Sequence, residues 1–344
     1  MNGALRLYWL TSSLLALMFA TAIITLSGFN PMHVLSVIVQ AAFGSAAALA
    51  ETCSAAAPLI LTAVAAALSF RSGIFNVGIE GCFVLGGLTS AVTATYLPIL
   101  PSPFLVTMTL LAGMGAGAAW MVLPAVLYAC LGVDEIVTTL MLNFVAQAVA
   151  DGLVQQFFLA PGSANSATAM VPVASRVPHL LASGTLDGSF FVGLLVIVSY
   201  GLWARYTVSG FETRIMGRNR RFAAAVGLPR TRLLIGTMVV SGAVGGLGGG
   251  LHVLGNLHRF VAGFSSNYGF MGLAVAILGA NHAFPMAVAA MALGALNVAG
   301  IGVQLLAGLP EEVVDLIVGS VIIFSSARLT FGRPDMSSLA RGAE

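Results

Sequence analysis

The chain has 344 residues, 58% of them apolar and only 8% charged, with a mean hydropathy of +1.00 and a formal net charge of +2. Soluble domains carry about a quarter charged residues, so the composition describes a polytopic membrane protein. The arginines stand at the ends of apolar runs rather than among aromatics, which argues against a nucleic-acid surface. There is no lysine at all, which removes both a GxxxxGK[ST] phosphate loop and Schiff-base chemistry. Any work driven by ATP must use a nucleotide bound by another chain.

Arg6 followed by Leu7 to Leu26 gives a basic start and an apolar run long enough to span a bilayer. Ala20 and Ala22 resemble a signal-peptidase site, but further spans follow, so the first helix is read as uncleaved with its N-terminus cytoplasmic. His33 to Phe70 is too long for one plain span, and Glu51 and Pro58 interrupt it. Further spans are predicted at Asn76–Leu97, Pro103–Leu131, Ile136–Leu159, Ser189–Arg205, Leu233–Leu254, Gly263–Ala280, Phe284–Leu306 and Val313–Thr330. Between the fourth of these and the next lies Trp203 to Leu233, which holds seven of the chain's fourteen arginines and reads as a cytoplasmic loop. Arg328, Arg333 and Arg341 put the tail on the same side. Counting crossings back from that loop places Arg71 inside, so His33 to Phe70 must make one net crossing, with a broken or re-entrant piece near Glu51–Pro58. The expectation is an all-α fold of ten spans, within a range of eight to eleven, forming one permease domain over 1–344. The segment Ala160 to Gly188 lies outside.

Two short motifs echo each other. Asn76, Gly78 and Gly81 form N-x-G-x-x-G, and Asn267, Gly269 and Gly272 form it again 191 residues later. By the crossing count the first copy runs outward and the second inward, as in an inverted-repeat transporter with helix breaks near its substrate site. A glycine-rich chain can also give such a match by accident or for close packing. Gly113 and Gly117, and the crowded Gly242–Gly250 stretch, read as helix contact surfaces. Cys53, Cys82 and Cys130 are isolated in apolar stretches and read as small hydrophobes. His252 and His258 lack the spacing of a zinc site.

Glu135, Thr139, Asn143, Gln147, Asp151 and Gln155 recur at every fourth residue. A helix turns so that each such step drifts only about 40°, and the central four share a face. Polar groups at membrane depth must point at protein or water, so this face either lines a solute path or bonds to neighbouring helices. Asp134 and Glu135 also suit a helix N-terminus. Glu80, beside the first motif, has three readings: substrate contact, a pair with Arg71, or a helix-start stabiliser. Glu311, Glu312 and Asp315 after Pro310 read as an acidic first turn.

Four blocks carry a resemblance: Arg71-Ser-Gly-Ile-Phe-Asn-Val-Gly-Ile-Glu-Gly81, Gly217-Arg-Asn-Arg-Arg-Phe-Ala-Ala-Ala-Val-Gly-Leu228, Gly269-Phe-Met-Gly-Leu-Ala-Val-Ala-Ile-Leu-Gly279 and Gly308-Leu-Pro-Glu-Glu-Val-Val-Asp315. Together, over roughly residues 45–330, the chain resembles the membrane permeases of ABC importers for nucleosides and simple sugars, related to the ribose and branched-chain amino-acid permeases. Within them it is most similar to the longer permease of nucleoside importers that use a lipid-anchored binding protein. It departs at Cys82, where relatives usually carry Gln. The resemblance implies a second permease subunit, identical or paralogous, and cytoplasmic ATPases that hydrolyse ATP. It also implies an extracytoplasmic solute-binding protein and a location in the bacterial inner membrane. No cofactor would be bound by this chain and no enzymatic step performed by it.

The residues implied in coupling lie within 208–232, namely Glu212, Arg214, Gly217, Asn219, Ala223, Ala224 and Gly227, with the arginines also positioned for anionic lipid. The substrate path is expected to use Asn76, Asn143, Gln147 and Asn267, whose side-chain amides suit a neutral, hydroxyl-rich solute, together with Glu80. An ion-coupled transporter using Glu51, Glu80 or Asp151 is the rival reading.

Overall fold

The structure is a computed structural model and describes residues 18–97, 101–163, 165–179 and 185–308, together with positions 310, 313, 314, 316, 317, 319, 320, 322 and 323. Arg6, most of the predicted first span, Glu311, Glu312, Asp315 and the tail arginines lie outside the described residues. Among those described, all regular elements are helical, apart from two isolated bridges, Ala167 with Val261 and His179 with Asp187.

In chain order the helices are α1 (Met18–Leu26), α2 (Pro31–Phe43), α3 (Ala46–Arg71), α4 (Ile79–Tyr96), α5 (Ser102–Leu131), α6 (Glu135–Leu153), α7 (Gly188–Tyr206), α8 (Val208–Arg218), α9 (Arg220–Ala225), α10 (Arg230–His252), α11 (Tyr268–Leu278) and α12 (Ala283–Ala307). Single π turns, Val154–Phe158 and Val253–Leu257, extend α6 and α10. Among the described residues, six helices are long and apolar enough to cross a membrane, and a seventh if α1 and α2, bent by 114°, are one span. The chain is therefore a multi-pass membrane protein. The predicted ten spans are not reached among the described residues: α11 has 11 residues, and the stretch predicted to close the chain is largely undescribed.

The interruption expected near Glu51–Pro58 lies elsewhere. The chain breaks at Gly44–Ser45, and α3 runs through both residues. Proline removes one helix hydrogen bond, but α3 is a protein-surrounded helix, 83% buried over its most apolar window, and neighbours can make up such a loss. Thr62 donates its hydroxyl to Pro58 O at 2.8 Å.

Two compact units divide the chain, one of residues 1–45 with 296–344, the other of 46–295. In the first, Ala20, Ile24, Val34, Val37, Val303 and Ile317 form a small core. In the second, α10 packs on α3, α4 and α5, while α11 packs on α3 and α4, α7 on α3, and α6 on α4 and α5. Glycines set how close α4, α5 and α10 come. A methyl group on Gly117 would overlap Gly242 O, one on Gly246 would overlap Gly113 O, and one on Gly249 would overlap Phe83 O. The contact surfaces read from Gly113, Gly117 and Gly242–Gly250 are thus where helix backbones touch, as small residues allow in a bilayer.

Candidate functional site

Arg71 ends α3, and the chain then runs without helix to Gly78 before α4 begins. Non-helical backbone inside a membrane protein must find partners, and side chains of α6 together with Asn76 of the break itself supply them. Val77 N–H donates to Thr139 Oγ1 at 3.2 Å, and Val77 O accepts from Asn143 Nδ2 at 2.9 Å. Gly78 N–H donates to Asn76 Oδ1, and Gly81 N–H to Asn143 Oδ1, both at 2.9 Å. Asn76 Nδ2 reaches Ser241 Oγ at 3.1 Å and Ser69 Oγ at 3.4 Å. Ser241 in turn donates to Ala65 O at 2.7 Å. Asn76 and Asn143 are buried and bonded on both amide atoms.

Glu80, in the first turn of α4 and buried, joins the two motif copies. Gly269 N–H donates to Glu80 Oε2 at 2.7 Å, and the Ser265 hydroxyl donates to Oε1. A carboxylate is thereby set against the first free amides of α11, the end of a helix that favours negative charge. Gly269 must be glycine here, since a Cβ would lie 2.5 Å from the Glu80 nitrogen. Of the three readings of Glu80, helix-start stabilisation is the one the geometry fits, but the helix is α11 rather than its own. Arg71 is engaged elsewhere, donating to Ala204 O at 2.6 Å and to Gly210 O at 3.4 Å.

The remaining sequence-selected residues divide sharply. Gln147 and Asn267 are exposed, and Asn267 holds a left-handed φ of 61°. The buried face of α6 is Thr139, Asn143, Ala146 and Ala150. The every-fourth-residue polar line drifts off that face, leaving Gln147 exposed and Asp151 half-buried, while exposed Gln155 donates to Ser166 Oγ at 2.9 Å. Asp134 caps α6 by accepting from Val137 N at 3.0 Å, and Glu135 stands in the first turn. Cys82 is buried, with its thiol toward Gly117 O at 3.4 Å, so it belongs to the α4–α5 contact.

At the arginine-bearing end, α8 and α9 form an elbow seated on the end of α3 and the break. Gly217 lies against Arg71 O and Gly73, and Arg220 donates to Gly73 O at 2.6 Å. Arg214 bonds Ala204 O at 3.1 Å, Asn219 caps α9 through Phe222 N at 3.0 Å, and Gly227 takes a φ of 77°. Ala223 is buried with Met216 and Met238, whereas Ala224 faces outward. Glu212 is half-buried in the wall of a slot between α7 and α10. Sequence reasoning passed over Phe222 and Val226, each more than half exposed beside the elbow's arginines. Two apolar side chains standing free among charges were the available signal. It also passed over Ser241, a lone serine in an apolar helix, and Ser265, the first of two serines in the loop before α11.

The family model described as branched-chain amino acid transport system / permease component matches residues 48–326. The chain is 30% identical over 317 residues to the nucleoside ABC transporter permease protein NupB of Lactococcus lactis subsp. cremoris, covering 89% of this chain and 87% of that one. It is 29% identical over 319 residues to the guanosine ABC transporter permease protein NupP of Bacillus subtilis, covering 92% and 91%. It is 33% identical over 307 residues to the glucose ABC transporter permease protein TsgB13 of Haloferax volcanii, covering 86% and 80%. No solved structure gives a significant match. The matched region takes in the break after α3, the Glu80 link and the α8–α9 elbow together: the chain belongs to the family of branched-chain amino acid transport system permease components.

Proposed function

We propose that this chain is the membrane-spanning subunit of an ABC importer that carries a nucleoside, or a related sugar-containing solute, into the cytoplasm. The observation that carries the reading is the likeness to nucleoside and guanosine permeases over about nine tenths of both chains. On this reading the arginine-bearing end is cytoplasmic, both chain termini lie on that side of the inner membrane, and ATP is hydrolysed by a separate ATPase seated on the elbow. A second permease subunit and an extracytoplasmic binding protein complete the transporter.

The coupling route follows from contacts. Phe222 and Val226, with Ala224 between them, are the apolar contact for the ATPase, and the exposed arginines Arg218 and Arg221 surround it. Arg214, Gly217, Asn219, Ala223 and Gly227 keep the elbow's shape and seat, and Glu212 stands on its slot-facing side. A shift of the elbow acts on Gly73 through Gly217 and Arg220, and the break passes it to the start of α4 and, through Glu80, to α11. ATP binding then biases one arrangement of this chain over another. Asn76, Glu80 and Asn143 serve the path by holding the break and both helix starts, and the exposed amides Gln147 and Asn267 meet the solute. The two motif copies, joined through Glu80 and Gly269, form the inverted pair of an alternating-access core.

The test is uptake of labelled nucleosides and ribose by cells with and without this chain, comparing vanadate with an ionophore. Chain-dependent nucleoside uptake that vanadate blocks and the ionophore spares is expected. Uptake that collapses with the ionophore and ignores vanadate would overturn the ABC reading.

A further inference from the structure

A slot of about 760 Å³ opens between α7 and α10, which both pack on α3 but leave a gap between themselves. Its deep wall is Val64 and Leu68 of α3. Its sides are Leu195 and Val196 of α7 and Gly236, Val240 and Val244 of α10. Leu195 and Val240, 66% and 50% exposed, mark its open edge, which on a membrane-spanning bundle faces the acyl chains. From Arg232 to Val244 the slot follows α10 for roughly 18 Å, at 1.5 Å per residue.

The end of the slot nearest the elbow is polar and carries one charge of each sign. Glu212 of α8 and Arg232 of α10 both line it, and neither makes a hydrogen bond or ion pair among the described residues. Three other arginines near this end are engaged: Arg71 with Ala204 and Gly210, Arg214 with Ala204, Arg205 over the Tyr206 ring. Trp203 and Tyr200 stand at the same level, with the Trp203 indole donating to Ser209 Oγ at 2.8 Å. Amphipathic rings of this kind favour the boundary between acyl chains and headgroups.

We infer that the slot between α7 and α10 holds one phosphatidylethanolamine molecule, with an acyl chain along Val240 and Val244, its phosphate toward Arg232 and its ammonium toward Glu212. The paired charges choose the headgroup. Phosphatidylglycerol would satisfy Arg232 but set its own phosphate near an unpaired Glu212 carboxylate, whereas a zwitterion meets both. The lipid would stand directly under α8, bracing the elbow from the membrane side. This inference needs only a membrane-spanning chain and does not depend on which solute is carried.

The test uses the complete transporter reconstituted in vesicles of equal phosphatidylethanolamine and phosphatidylglycerol, extracted with its annular lipid and weighed by native mass spectrometry. Phosphatidylethanolamine should be retained at one molecule per copy of this chain. Gly236→Trp fills the slot from a position where an added Cβ meets nothing within 4 Å, and retention should fall at least about tenfold. Gly236→Ile is a smaller filling that gives the same sign should the tryptophan impair folding. Glu212→Gln should keep a lipid but lose the headgroup preference, by about two- to fivefold, the worth of one exposed ion pair. A photo-crosslinker at position 236 of the otherwise unaltered complex should capture lipid. Unselective retention, retention unchanged by both fillings, or capture of a polypeptide at position 236 would each overturn the assignment.

Discussion

The same six-letter spacing begins α4 and α11, and it does different work in the two places. At α4, Asn76 is a buried, fully bonded side chain that ties the break to Ser69 and Ser241. At α11, Asn267 is exposed, caps nothing with its side chain, and supplies a left-handed backbone turn instead. The glycines agree better than the asparagines, since both copies use them for close approach, but the margins differ. A Cβ on Gly78 would stand 3.1 Å from Thr139 Cβ and 3.2 Å from the flexible end of Met121, while one on Gly269 would meet the Glu80 backbone. A motif can thus preserve where helices touch while its polar member is reassigned from bonding to backbone geometry.

The sharpest way to break that comparison is Gly269→Ala. Backbone cannot yield as a methionine tip can, and overpacking of this kind costs about 1–3 kcal/mol. Membrane abundance, melting temperature and uptake should all fall, whereas Gly78→Ala should lose less than about 1 kcal/mol by the same melting measurement. Equal losses would mean that the two helix starts are equally tight. Next in size is Asn143→Leu, which leaves Val77 O and Gly81 N–H without partners, at about 1–3 kcal/mol for each buried group. Its mark is a loss of stability and abundance, so a fall in uptake alone would return Asn143 to the solute path. Glu80→Ala should cost a similar amount by stranding Gly269 N–H and the Ser265 hydroxyl, and Glu80→Gln should recover part of it by keeping an acceptor for Gly269. Full recovery by glutamine would show that the negative charge at the start of α11 adds nothing.

Much of the fold could be read from the chain because it rests on local patterns. Apolar runs marked α5, α6, α7, α10 and α12, and glycine spacing marked the α5–α10 contact. The arginine cluster marked the elbow. What was hidden was non-local. Glu80 finds its partners 185 and 189 residues away, at Ser265 and Gly269, and no spacing announces such a bond. Pro58 signalled a break that α3 resists because neighbours surround it. On α6 the polar letters every fourth residue are regular, but the buried face steps by four, three and four, so the pattern leaves that face after Asn143. The slot between α7 and α10 is a gap between elements that no single helix encodes.

Asn267→Gly is the mildest change and separates backbone from side chain at the second motif. The φ of 61° at Asn267 suits glycine as well as it suits any residue. Relief of the left-handed strain is offset by the greater freedom of glycine in the unfolded chain, so stability should stay within about 0.5 kcal/mol of the parent. The exposed amide is then the only group removed. If it meets the solute, uptake should fall, with the Michaelis constant rising while abundance and melting temperature stay fixed. Unchanged uptake would take Asn267 out of the path and leave Gln147 as the one exposed amide of the proposed set. A loss of stability would instead mean that the asparagine side chain holds the loop before α11, making the two motif copies more alike than their hydrogen bonds suggest.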